Sequence, residues 1–137
     1  MASPRWPNVE REVVAWLTAR TGHYVATETD DTIADHLPAH KVTRAGGGTP
    51  PDATGLTRTI QVEVETMTAK TAPRADLWEA TADVATAMYD LAANGTTAWF
   101  VDEVTETFPA AVLEDSTGGV RRASATFGLA VRPTPTT

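Results

Sequence analysis

Cysteine is absent from the 137 residues, which excludes a disulfide framework and a thiolate metal site and leaves the redox compartment open. Lysine is nearly absent too, with only Lys41 and Lys70. At a net charge of −7, the chain lacks the clustered cations that release counterions from a phosphate backbone. Such acidity keeps a small domain soluble and repels DNA. No apolar run is long enough to span a bilayer, and the opening "MASPRWPNVER" has no apolar h-region, so neither a membrane span nor a signal peptide is expected. The strained G-x-S-x-G turn of a nucleophile elbow does not occur. Ser3, Ser116 and Ser124 are the only serines, and Ser116 sits in a polar stretch with no histidine nearby in sequence.

Glycine and proline concentrate in "HKVTRAGGGTPPD", residues 40–52. A phosphate cradle needs a glycine-rich turn that opens a helix, with Lys and Ser or Thr at fixed offsets. Pro50-Pro51 follow instead, offering no N–H and starting no helix. The flanking segments explain the stretch better. "HKVTRA" (40–45) has the composition of a short strand, and "LTRTIQVEVET" alternates strictly, with Ile60, Val62 and Val64 on one side and Gln61, Glu63 and Glu65 on the other. The glycines therefore belong to a long hairpin connection from Gly46 to about Gly55. Loops of this length are often functional, and Gly46, Gly47, Gly48, Thr49, Pro50, Pro51 and Asp52 form a candidate docking arm.

The remaining elements follow from periodicity. "NVEREVVAWLTARTG" puts Val9, Val13, Trp16 and Leu17 on one helix face, with Asn8 as the starting cap and Gly22 as the end. "HYVATE" (23–28) has strand composition, and "DDTIADHLP" (30–38) is a polar connection with room for one turn of helix. Between Ala75 and Ala93, Leu77, Thr81, Val84, Met88 and Leu91 mark the buried face of a second helix, flanked by Trp78, Ala85 and Ala92. Asp76, Glu79, Asp83 and Asp90 lie opposite, as a solvated face or a surface that must not bind DNA. Asn94-Gly95 ends this helix. Two further strands are predicted, 97–108 and 120–132, joined by "PAAVLEDSTGG", with Ala125, Phe127, Leu129 and Val131 buried on the last.

The order α-β-β-β-α-β-β has no regular βαβ alternation. It predicts an α+β single domain over 1–137, with a largely antiparallel four- to five-stranded sheet, two helices packed on one face, and frayed ends at 1–6 and 133–137.

Few residues invite chemistry. His23, His36 and His40 are the only histidines, and Pro38 keeps the last two from sharing a helix face as metal ligands would, so all three are expected at the surface. Asp30-Asp31-Asp35, Asp102-Glu103 and Glu114-Asp115 are carboxylate clusters of the kind usually found in solvated turns. Trp78 and Trp99 are expected in the core. Trp6, ahead of the first cap, has two roles open to it, stapling the helix or anchoring a partner.

In order and spacing these segments resemble the tail terminator proteins of long-tailed bacteriophages, especially those infecting actinobacteria. The likeness is carried by "WPNVEREVVAWL", "LPAHKVTRAGGG", "LTRTIQVEVET", "MYDLAANG" and "ATFGLAVR", from Trp6 to Arg132. It implies a structural virion protein: a hexameric ring at the head-proximal end of the tail that caps the tail tube and stops its polymerisation. Its implied partners are further copies of itself, the tail tube protein and a head-completion or connector protein, with assembly in the host cytoplasm. No cofactor, metal or reaction belongs to that role. DNA passes through the ring without specific binding, and Asp76, Glu79, Asp83 and Asp90 would suit an acidic lumen. The alternatives are another head-to-tail connector or tail-completion protein, a small enzyme with a deep polar pocket, and a monomeric acidic module that binds a basic partner.

Overall fold

Asn8 starts the first helix: its side-chain oxygen accepts the backbone N–H of Arg11 at 3.2 Å, satisfying one of the donors a helix start leaves unpaired. In the computed structural model, which describes residues 7–45, 58–93, 100–113 and 119–132, helix α1 spans Val9–Thr21 and ends at Gly22. Gly22 takes φ 71°, a left-handed conformation that only glycine adopts at little cost. Val9, Val13, Trp16 and Leu17 form the buried face, as their spacing predicts.

Strand β1 (Tyr24–Ala26), a 3₁₀ turn (Ile33–Asp35), β2 (Ala39–Arg44), β3 (Arg58–Ala69), helix α2 (Arg74–Ala93), β4 (Phe100–Leu113) and β5 (Val120–Arg132) follow. The five strands form one open sheet in the order β1-β2-β3-β5-β4. Every pairing is antiparallel except that of β1 with β2. A parallel pair cannot be closed by a tight hairpin, and the twelve residues from Thr27 to Pro38 supply the crossover. The expected α+β class and element order are those observed.

Helix α1 packs on β1, β2 and β3, α2 packs on β3, β4 and β5, and the helices pack on each other. Ile60, Val62 and Val64 of β3 and Ala125, Phe127, Leu129 and Val131 of β5 join the helix residues in a single core. Each large side chain fully buried there contributes roughly 1.5–3 kcal/mol. Trp16 adds a directional contact: its indole N–H donates to the Ala87 carbonyl at 2.7 Å, locking α1 to α2. A second, smaller cluster of Ile33, Ala39, Met67 and Val120 lies on the opposite face of the sheet. Ala39 pairs with Met67 and Ala69 with Val120, and along β3 residues 67 and 69 alternate with the helix-facing series 60, 62 and 64. The crossover folds over that face through Ile33.

Four expectations need correction. Trp78 is 42% exposed, and Ala80 and Ala87 are buried in its stead; at Ala87 the close approach of Trp16 from α1 favours a small side chain. Strand β4 continues through residues 109–113, which composition assigned to a connection. Proline is tolerated there because β4 is an edge strand, and register shifts at Glu106/Phe108 and Phe108/Ala111 absorb the irregularity. Strand β3 runs three residues beyond Thr66, and β1 is three residues long where six were expected. Trp99 and the Asn94-Gly95 stop lie outside the described residues.

Candidate functional site

Met67 and Ala39 pair near one end of the sheet, and there the first turns of α2 stand beside the ends of β1, β2 and β3. Between them is an open cavity of about 380 Å³. Leu37, Pro38, Ala69 and Ala80 give it apolar walls, and Asp76, Glu79 and Asp83 line the side formed by α2. The three acids recur at helical spacing and so share one stripe. All three are exposed, and among the described residues no ion pair or side-chain hydrogen bond engages them. Asp90, the fourth acid of the predicted stripe, is different: it is partly buried and paired with Arg20 of α1 at 2.8 Å. The Arg20 guanidinium also lies 4.3 Å from the centre of the Trp16 ring, where the ring face attracts a cation.

His23 lines this cavity and meets His40 behind it, and the burial of His40 departs from the expectation that all three histidines sit at the surface. His40 is completely buried. One of its ring nitrogens lies 2.9 Å from Nδ1 of His23 and the other 2.9 Å from the Thr66 hydroxyl. Burial, with a smaller contribution from His23, pushes the His40 pKa down to about 4, so the ring is neutral at physiological pH. His23 is partly exposed on the cavity wall. His36 stacks on Tyr24 at 4.3 Å between ring centroids.

Beside them, the Thr68 hydroxyl has no hydrogen-bond partner among the described residues, although Thr68 is only 4% exposed and lines the cavity. Sequence reasoning passed over both Thr66 and Thr68. Their positions two and four residues beyond Val64, on the helix-facing side of β3, were the available signal.

The other carboxylate clusters have local duties. Asp30 accepts from the Thr32 backbone N–H at 2.8 Å and from its hydroxyl at 2.6 Å, and these bonds hold its carboxyl below the usual range. Asp102 pairs with Arg132 at 3.0 Å. Glu114-Asp115, Trp6 and the arm from Gly46 to Asp52 lie outside the described residues. Among those described, no three His, Asp or Glu side chains converge as metal ligands, and no helix is long and apolar enough to cross a membrane.

The geometry defines an α+β domain whose distinctive feature is an acidic, half-apolar cavity at one end of the sheet. His40, the group with the most displaced pKa among the described residues, lies behind the cavity wall, sealed from solvent. No protein-family model and no curated protein matches the chain. In structure it is similar to a chain from the virion of a native gene transfer agent particle, with a TM-score of 0.62 at 18% identity, covering 90% of this chain and 94% of that one. The two share a fold across essentially their whole lengths.

Proposed function

We propose that this protein is a non-enzymatic structural component of a phage-like particle, and within it the tail terminator. In this role copies form a ring, hexameric by the family resemblance, that caps the finished tail tube, halts its growth and presents a surface to the head-completion proteins. The observation that carries the proposal is the end-to-end structural likeness to a virion chain, joined to the order of sequence segments between Trp6 and Arg132. Fold alone does not fix function, but a constellation fit for catalysis is not assembled among the described residues, and an acidic chain suits a ring through which DNA passes without adhering.

The arm from Gly46 to Asp52 is the proposed contact with neighbouring subunits or the tube. Six like-charged copies repel one another, so ring formation should strengthen as added salt screens charge beyond about 10 Å at 0.1 M. The decisive experiment removes the protein from particle-producing cells. Tails of uncontrolled length that fail to join heads are the expected result, and a protein lacking Gly46–Asp52 should fold yet fail to restore them. Tails of normal length, joined to heads in the absence of the protein, would refute the proposal.

A further inference from the structure

Acids at helical spacing are ordinarily a solvated face. Two independent observations set Asp76, Glu79 and Asp83 apart. They border a cavity of about 380 Å³ with apolar walls, inside the roughly 300–1,000 Å³ range of small-ligand sites. The second observation is Thr68: its residue is 96% buried by a 4% exposure, it lines the same cavity, and its hydroxyl oxygen is unpartnered. Buried polar groups are nearly always paired, and an exception calls for a ligand or a reason.

We propose that this cavity is a socket for a single basic side chain, arginine or lysine, carried by a basic segment of another protein in the particle. The chemistry matches part by part. A long cationic side chain is an apolar stem with a charged head, and the socket offers Leu37, Pro38, Ala69 and Ala80 to the stem. The head meets three carboxylates that carry no counter-charge of their own, and the Thr68 oxygen, sealed in the free protein, can accept from a guanidinium or ammonium once an entering side chain displaces the wall that covers it. The cations of this chain near the socket leave it open. Arg121 donates to the Ala72 carbonyl at 3.2 Å, while Lys70 and Arg74 are exposed and make no ion pair among the described residues.

A divalent metal is a poorer fit, because among the described residues no three ligands converge. A second copy of this chain is a weaker candidate, since its net charge of −7 opposes the approach and has to be outweighed by packing, as in the proposed ring. A basic partner is attracted by that same field. The socket rests on the particle proposal only for the identity of the partner.

The test titrates the full-length ¹⁵N-labelled protein with the peptide acetyl-Ala-Arg-Ala-amide and, as a control, the same peptide with norleucine in place of arginine. The arginine peptide is expected to shift amides around His23, Thr68 and Asp76 to Asp83, and the norleucine peptide to leave them alone. Glu79→Gln and Asp83→Asn should each weaken binding about threefold, and the pair about tenfold. Thr68→Val should weaken it without altering the carboxylates. Equal binding of the norleucine peptide would overturn the proposal, as would shifts scattered over the acidic surface or undiminished in the double variant. Concentration-dependent shifts at the same residues without peptide would assign the socket to a second copy and overturn the basic partner. Tail capping is a separate readout: if the double variant caps tails as wild type does, the socket falls while the terminator assignment stands. Peptide binding in a protein whose loss leaves tails normal would have the opposite meaning.

Discussion

Acid should destabilise this protein through one histidine. His40 is fully buried, its two ring nitrogens each 2.9 Å from a partner, His23 on one side and Thr66 on the other. In the unfolded chain its pKa is 6.5, and in the folded protein burial, with His23 second, lowers it to about 4. Between those values the unfolded state binds a proton that the folded state refuses. Stability from this group is therefore intact above pH 6.5 and drains away as pH falls toward 4. The slope is about 1.4 kcal/mol per pH unit, and the whole loss about 3 kcal/mol. That is a large share of the roughly 5–15 kcal/mol that holds a typical domain together.

Urea unfolding followed by circular dichroism across this window measures the loss directly. The control is His40→Gln, which keeps a polar side chain able to donate and accept but cannot titrate. Asp30, with its carboxyl held low by Thr32, and every other acid remain in both proteins and cancel in the comparison. The wild-type curve should fall more steeply than the variant's, and the two should converge toward the acid end. Parallel curves would refute the reasoning and mean that the folded protein accommodates a charged His40.

Four further outcomes concern packing and pairing. Trp16→Phe removes the indole bond to Ala87 and weakens the contact with Arg20, and should cost about 1–2 kcal/mol in urea unfolding. Arg122→Ala strips the 2.6 Å partner from Glu65, a carboxylate whose side chain is 14% exposed, and should cost about 2–3 kcal/mol. Replacing both residues together, Glu65→Leu with Arg122→Met, should cost less than Arg122→Ala alone, because no charge is left stranded. Thr68→Val should raise the stability of the isolated protein by about 1 kcal/mol in a thermal melt, since an unpartnered buried hydroxyl is replaced by a methyl group of the same shape.

How much of this could be read from the chain depends on whether the determinant was local. The first helix was legible to the residue because Asn8 and Gly22 punctuate it, and β5 because Ala125, Phe127, Leu129 and Val131 alternate without interruption. The face of α2 was legible only approximately. Hydrophobicity favours Trp78 over Ala87, whereas the close approach of Trp16 favours the alanine, and α1's position is invisible in the local sequence. The continuation of β4 past Pro109 depends on that strand being at the edge, a fact of topology. The histidine pair shows the boundary most plainly. That His40 shares a face with Val42 follows from their spacing, but His23 and Thr66 reach it through the parallel pairing of β1 with β2 and the antiparallel register of β3, neither of which is written near residue 40.

The acidic stripe of α2 carries the same lesson into function. On a helical wheel Asp76, Glu79, Asp83 and Asp90 are equivalent, but Asp90 lies seven residues beyond Asp83, about two turns or 10.5 Å along the axis. There α1 supplies Arg20, and the acid becomes part of a structural ion pair. At the other end Lys70 and Arg74 lie nearby but make no ion pair with the stripe among the described residues, and three carboxylates stand beside an apolar hollow and an unpartnered hydroxyl. In a chain already carrying a charge of −7, Glu79 and Asp83 on adjacent turns repel each other, although Asp76 in the first turn is favoured by the helix N-terminus. Stability alone would favour a lysine among them and a valine at position 68. Both features oppose the fold in isolation and are relieved by a single cationic group entering from outside, which is why the division of one stripe into a neutralised and an unneutralised half points to a partner.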